Sequence, residues 1–286
     1  MANAGGVRAT GTVLDRIVAD RRLRLAEDRR ATPEARLAEL RAALPGAGVD
    51  FVARLRHGRA EAPAGARLRL VAEVKRASPS KGVFDANIDA AALALRYAHA
   101  GAAAVSVLTE PTFFGGSIAD LRAARCAFGA DAERPALLRK DFVFDAYQVA
   151  EAQAHGADAL LLIVMLLEPA ALRELVVLAR AHQLEPLVEV HDAGELEAAL
   201  AAGARVVGVN NRDLRTFAED LGTTERLAAL VPPEVTLVAE SAIRGPADAR
   251  RMADAGAHAI LVGEALVLAQ DLEADARALM LGEAGA

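Results

Sequence analysis

The sequence predicts an α/β chain folded as a closed (β/α)8 TIM barrel with an N-terminal helical extension. Three observations predict it: eight short apolar runs recur along the chain, stretches of helical periodicity separate them, and charged residues gather at the C-terminal ends of the runs. Near-continuous apolar strands suit a sheet covered on both faces. Strands alternating with helices imply parallel strands joined by right-handed crossovers, and eight of them close a barrel. The chain has 286 residues, 53% of them hydrophobic, enough for a full core. One barrel domain over 1–286 is expected, with 1–66 as helical extension and linker and 67–286 as barrel.

The extension comes first. TVLDRIVADRRLRLAEDRR (12–30) carries apolar residues at Val13, Leu14, Ile17, Val18, Leu23 and Leu25, and a second helix is expected from Pro33 to about Ala43. Its arginines alternate with Asp15, Asp20, Glu27 and Asp28, the pattern of a solvated helix face. The Gly/Ala/Pro segment 57–66 is read as a linker. The runs then follow as RLRLVAEVK (67–75), AAVSVLT (103–109), ALLRKDF (136–142), ALLLIVM (159–165), PLVEV (186–190), RVVGVN (205–210), VTLVAES (235–241) and AILVG (259–263). Between them, EPAALRELVVLARAH places Pro169 where a missing N–H costs nothing. Leu172, Leu175, Val176 and Ala179 then form one stripe. GPADARRMADAG repeats the design from Pro246 to Gly256, and Gly101, Gly156 and Gly203 close three more helices.

Composition excludes several classes. The net charge of −6 gives no basic face for nucleic acid. The single Cys126 rules out a disulfide framework and a Cys-rich metal site, and it is expected as a small buried residue in a helix. Charges throughout the first 30 residues leave no signal-peptide core, and the longest apolar run, 159–167, is about half a bilayer span. A cytoplasmic location is the expectation. Oligomeric state is open, and a monomer is compatible.

Polar residues mark one end of the predicted strands. The first run ends in Glu73 and Lys75 and the third in Lys140; the fifth carries Glu189 and the sixth ends in Asn210, Asn211 and Arg212. The seventh ends in Glu240 and Ser241, the eighth in Gly263 and Glu264. Charges in apolar runs are costly unless paired or used. Salt bridges capping the barrel would explain one of them; agreement among so many strands favours a functional cluster. Two lysines among carboxylates suit acid–base chemistry, with one cation lowering the pKa of the other and the apolar surroundings raising that of Glu189. No catalytic triad and no metal-ligand spacing are present. His99, His155, His182 and His258 stand at helix ends and carry no assigned chemistry; His191, just past Glu189, is an outside candidate. SAIRGP (241–246) and VGEAL (262–266) offer backbone N–H groups leading into helices, a seat for a phosphate.

With these motifs in order, the chain resembles indole-3-glycerol-phosphate synthase over its whole length. AEVKRASPSKG (72–82), LTEPTFFGGS (108–117), LLRKDF, LLIV (161–164), PLVEV, GVNNRDL (208–214), AESAI (239–243) and VGEAL follow in that family's order. The resemblance implies ring closure, decarboxylation and dehydration of 1-(2-carboxyphenylamino)-1-deoxyribulose 5-phosphate, without metal or organic cofactor. It casts Lys140 as general acid, Lys75 as the lysine holding the substrate's anionic group, Glu189 as the proton-transferring carboxylate and Glu73 as the group orienting the lysines. Ser78, Asn210, Arg212, Glu240 and Ser241 would bind substrate, and Phe114, Phe142 and Leu161 would enclose the anthranilate ring. The backbone of Ala242, Gly263 and Glu264 would seat the phosphate. The family usually has Gly where this chain has Ala242. The N–H survives that change, but a positive φ there would strain the loop.

Competing readings are another phosphate-binding barrel such as a sugar-phosphate isomerase, a degenerate barrel kept as a scaffold, and a secondary-metabolism paralogue. The first lacks the SPS stretch and the helical extension. The second predicts a lost charge at a strand end, and none is lost. The third would keep every residue named.

Overall fold

A computed structural model of the chain describes residues 6–283; the first five residues of the expected extension and the last three of the chain lie outside the described residues. Eight parallel strands close into one barrel, each paired with its sequence neighbour and the first with the last. They are β1 (Arg69–Val74), β2 (Ala104–Leu108), β3 (Ala136–Lys140), β4 (Ala159–Ile163), β5 (Glu185–Val190), β6 (Val206–Asn210), β7 (Thr236–Glu240) and β8 (Ala259–Val262). Each observed strand lies within the expected run or within a residue of it. The 159–165 run stops being strand at Ile163 and turns into a 3₁₀ turn, Val164–Leu166.

The crossovers are capped as their sequences dictate. Asp89 caps α4 (Ala90–His99), Ser117 caps α6 (Ile118–Ala127) and Asp145 caps α7 (Ala146–Ala154), each accepting from an N–H of the first turn. Asp192 does the same for α9 (Ala193–Ala201) and Asp271 for α13 (Leu272–Leu281). Pro169 opens α8 (Pro169–Ala181) and Pro246 opens α11 (Pro246–Asp254), as expected. Two shorter helices, α5 (Pro111–Phe114) and α12 (Glu264–Val267), lie in loops at the C-terminal ends of β2 and β8, and α10 (Gly222–Ala228) follows β6. Gly156 follows α7 at φ +89°, where a Cβ would also run into the Arg125 side chain; only glycine fits both constraints.

The extension covers both ends of the barrel. Helix α1 (Val13–Ala31) places Leu14, Ile17 and Val18 in the same buried cluster as the strands, and α2 (Glu34–Ala42) packs on α7. A third helix that sequence periodicity did not signal, α3 (Phe51–His57), caps on Asp50 and buries Phe51 and Leu55 against β1, β2, β3 and β7. Its Arg56 donates to Thr236 Oγ1 at the first residue of β7, so α3 seals the N-terminal end. Of the expected 57–66 linker, His57 belongs to α3 and 58–66 is irregular, pinned by Arg59, which donates to the carbonyls of Ala98, Ala102 and Glu133. Two expectations need correction. Arg21 departs from the solvated-face reading. It lies one turn from both Ile17 and Leu25 and is buried with them, so it pairs with Asp141 at 3.2 Å and Asp28 at 3.0 Å; Leu23, on the other face, is exposed. Cys126 is in a helix as expected but exposed, because α6 turns Leu121, Ala124 and Arg125 inward instead.

Candidate active site

At the C-terminal end of the barrel lies a cavity of about 400 Å³, within the usual range for small-molecule sites. Every residue to which the resemblance assigned a role lines it: Glu73, Lys75, Ser78, Phe114, Lys140, Phe142, Leu161, Glu189, Asn210, Arg212, Glu240, Ser241, Ala242, Gly263 and Glu264; Asn211 and His191 do not. The strand pleat explains the convergence, since alternate residues point inward and the last inward position of each strand faces the mouth.

Lys140 is the hub. Its Nζ forms a short ion pair with Glu240 Oε2 and lies 3.4 Å from Glu189 Oε2. Glu189 Oε1 accepts from Asn210 Nδ2 at 3.2 Å. Lys75 pairs with Glu73 at 2.8 Å and lies over the Phe84 ring. Burial works against the charged lysine, but Glu240, Glu189 and Glu73 together outweigh it and raise the pKa of Lys140. The expected lowering by a second cation is thus reversed, because the nearest neighbours of Lys140 are carboxylates. The carboxylates also sort differently from the expectation. Burial would raise Glu189, yet Lys140, His191 and Asn210 hold it below its ordinary value. Glu240 is the one pushed up, to about 7, by burial and by Glu189 and Glu73 acting against Lys140. Its Oε1 has no hydrogen-bond partner among the described residues.

The walls are set from beneath. Asp141 accepts from Arg139, Arg21, Thr109 Oγ1 and its neighbour's N–H at Phe142, which fixes the chain on both sides of Lys140 and Phe142. Glu110 accepts from three N–H groups of α5 and so sets Phe114, whose ring centroid is 6.0 Å from that of Phe142. Leu161 closes the same apolar side. Arg212 is drawn to Glu219, which Arg244 also binds at 2.7 Å, tying the loop after β6 to the loop after β7.

The candidate phosphate seat, the 241–242 and 263–264 backbone, differs in one detail. Ser241 and Ala242 are both left-handed, at φ +64° and +63°. The positive φ raised in the sequence reading is what the loop adopts, and each non-glycine residue there costs roughly 1–2 kcal/mol. Gly263 is required by close approach: a Cβ would lie 2.5 Å from Glu73 Oε1 and 3.2 Å from Lys75 Nζ. The Glu264 carboxylate is neutralised by Lys81 at 2.5 Å.

Several contributors escaped sequence reasoning. Val13, Leu14 and Ile17 of the extension line the cavity, as do Lys81, Leu214 and Phe217. Gly208 is a fourth kind: a Cβ there would collide with Glu240 Oε1, so the glycine makes room for that carboxylate. A glycine inside an apolar strand was the available signal. Among the described residues no three His, Cys, Asp or Glu side chains stand together as metal ligands, and no helix is long and apolar enough to cross a membrane.

Barrel and mouth define a (β/α)8 enzyme acting on a small phosphorylated substrate, with lysines and carboxylates gathered at the mouth in an arrangement suited to acid–base chemistry. A family model described as indole-3-glycerol phosphate synthase matches residues 14–279, and the chain belongs to that family. It is 45% identical over 268 residues to the indole-3-glycerol phosphate synthase of Dehalococcoides mccartyi (strain CBDB1), covering 94% of this chain and 100% of that protein. It is 44% identical over 278 residues to the multifunctional tryptophan biosynthesis protein of Schizosaccharomyces pombe, covering 96% of this chain and 35% of that protein. Among solved structures, 3-hexulose-6-phosphate synthase from Salmonella typhimurium aligns at a TM-score of 0.60 with 12% identity, over 75% of this chain and 98% of that one. That last likeness is one of fold.

Proposed function

We propose that the chain converts 1-(2-carboxyphenylamino)-1-deoxyribulose 5-phosphate to indole-3-glycerol phosphate, CO₂ and water, as a cytoplasmic step of tryptophan biosynthesis. The observation that carries the reading is Lys140 held between Glu240 and Glu189 in a cavity walled by Phe114 and Phe142 on one side and edged by the 241–242 and 263–264 backbones on the other.

The substrate's phosphate lies on the backbone N–H groups of Ala242, Gly263 and Glu264, with Lys75 and Ser78 beside it, and its anthranilate ring lies between Phe114, Phe142 and Leu161. This brings the ring carbon that bears the carboxylate toward the ribulose carbonyl. As the C–C bond forms, Lys140 protonates the carbonyl oxygen, which becomes a hydroxyl. The bond to the carboxylate then breaks, CO₂ leaves, and its electron pair restores the aromatic ring. Dehydration needs a proton delivered to the departing hydroxyl and another removed from the adjacent carbon. Glu189, kept ionised by Lys140 and Asn210, is the base for the second. Glu73 orients Lys75 at the substrate's anionic end. Asn210, Arg212, Glu240 and Ser241 hold hydroxyls and the ring nitrogen.

The test is direct. Purified chain supplied with the carboxyphenylamino-deoxyribulose phosphate should develop indole fluorescence, with product confirmed by mass. Substrate returned unchanged by folded protein would overturn the reading.

A further inference from the structure

We propose that His191, clamped by Glu195, is a positioning residue that presents a charged imidazole to Glu189 and so holds that carboxylate ionised and aimed for proton transfer.

His191 follows the last residue of β5 and does not line the cavity; it stands behind Glu189. Its ring is nearly buried, with 10% of the side chain exposed. On one side Nδ1 lies 3.0 Å from Glu195 Oε2, and the His191 backbone N–H donates to that same oxygen at 2.8 Å. Glu195 itself is fixed on the first turn of α9, its own N–H donating to Asp192. On the other side Nε2 is 3.5 Å from Glu189 Oε1 and has no hydrogen-bond partner among the described residues.

The geometry selects the charge state. A carboxylate oxygen already accepting a backbone N–H also takes the Nδ1 proton. A neutral ring would then turn the Nε2 lone pair toward an oxygen lone pair of ionised Glu189, which is repulsive. A proton on Nε2 turns that contact into an attraction. The groups around the ring agree: Glu195 from α9 and Glu189 from β5 are carboxylates in contact with it, and Glu240 from β7 adds negative charge as it ionises. Burial opposes the charge, but these carboxylates raise the ring's pKa above its ordinary value. The nearby cation, Lys140 of β3, lies beyond Glu189, to whose other oxygen it is turned. Glu189 therefore receives Lys140 on one oxygen and Asn210 and His191 on the other, three directions that leave it little freedom to rotate.

The inference rests on the reading of Glu189 as the base, and the test separates the two. Turnover is measured across the pH range for the parent, His191→Gln and Glu195→Gln, alongside the ring ¹⁵N shifts of His191. The parent's kcat should fall on the alkaline side as His191 loses its proton. His191→Gln should lower kcat by about tenfold to a hundredfold, the cost of a misaimed group, with KM nearly unchanged and that alkaline limb gone. Glu195→Gln touches no substrate; it should move both the limb and the ¹⁵N midpoint to lower pH, and it decides the matter if His191→Gln does not fold. A limb and a ¹⁵N midpoint that stay in place in Glu195→Gln, or an unaltered profile in His191→Gln, would overturn the inference while leaving an active parent. A parent without turnover would overturn the reading of the site and this inference with it.

Discussion

The two ends of the barrel bury charge in opposite ways. At the N-terminal end Asp158, fully buried, accepts two hydrogen bonds from Arg134 and one each from the N–H groups of Val49 and Leu137. Its carboxylate is saturated by a partner of opposite charge and by backbone. At the mouth, Glu240 and Glu189 share Lys140 while Glu73 is paired with Lys75, and among the described residues Glu240 Oε1 has no hydrogen-bond partner. The first arrangement stabilises because every lone pair is used. The second leaves charge under-satisfied in a mostly buried cluster, which is costly for folding and available to a substrate. Removing charge at one end should therefore unfold the protein, and at the other end stop the chemistry.

The largest expected effect is at the mouth. Lys140→Met should lower turnover by roughly two to four orders of magnitude, the scale of a general acid, while the urea midpoint falls less than in Arg134→Met, because Glu240 takes up a proton once Lys140 is gone; turnover within a few-fold of parent would remove Lys140 from the mechanism. Next, Arg134→Met should cost about 3–5 kcal/mol in urea unfolding, because it strands a buried carboxylate, with activity per folded molecule unchanged. Equal loss of activity and stability in both variants would erase the distinction between the ends.

A smaller effect concerns pH. His155 ends α7 with its pKa lowered to about 4 by burial and by Arg139 and Arg122. Between that value and its ordinary 6.5 the unfolded chain binds the proton and the folded one does not. The stability this supplies is present above pH 6.5 and is lost as pH falls toward 4. His155→Gln should flatten that acid limb, recovering on the order of 1–2 kcal/mol near pH 5 relative to pH 7; an identical limb in the variant would assign it elsewhere. The smallest effect is at the strained loop. Ala242→Gly should stabilise by about 0.5 kcal/mol, the relief of a left-handed alanine less the entropy cost of glycine. A loss of stability instead would mean that the loop relaxes without help from position 242.

The mouth was legible because a barrel strand has one inward periodicity and one functional end, so Glu73, Lys140, Glu189 and Glu240 betrayed themselves as charges in apolar runs. What their proximity does was not legible. The pKa directions of Lys140 and Glu189 depend on which neighbours lie within a few ångströms across strands, and both came out opposite to the reading from local sequence. Helix α3 is too short for periodicity, with only Phe51 and Leu55 to mark its face. Arg21 looks like its exposed neighbours in composition, and it is Asp141, just past the end of β3, that receives it on the buried face of α1. The positive φ of Ala242 belongs to a loop geometry that alanine itself gives no reason to expect.

The claim that Glu189 and Glu240 together carry more negative charge than Lys140 satisfies is tested most directly by the ¹³C titration of the Glu240 carboxyl. A midpoint near 7 in the folded parent, rising further in Lys140→Met, is the predicted result. A midpoint in the ordinary carboxylate range, unmoved by loss of Lys140, would contradict it.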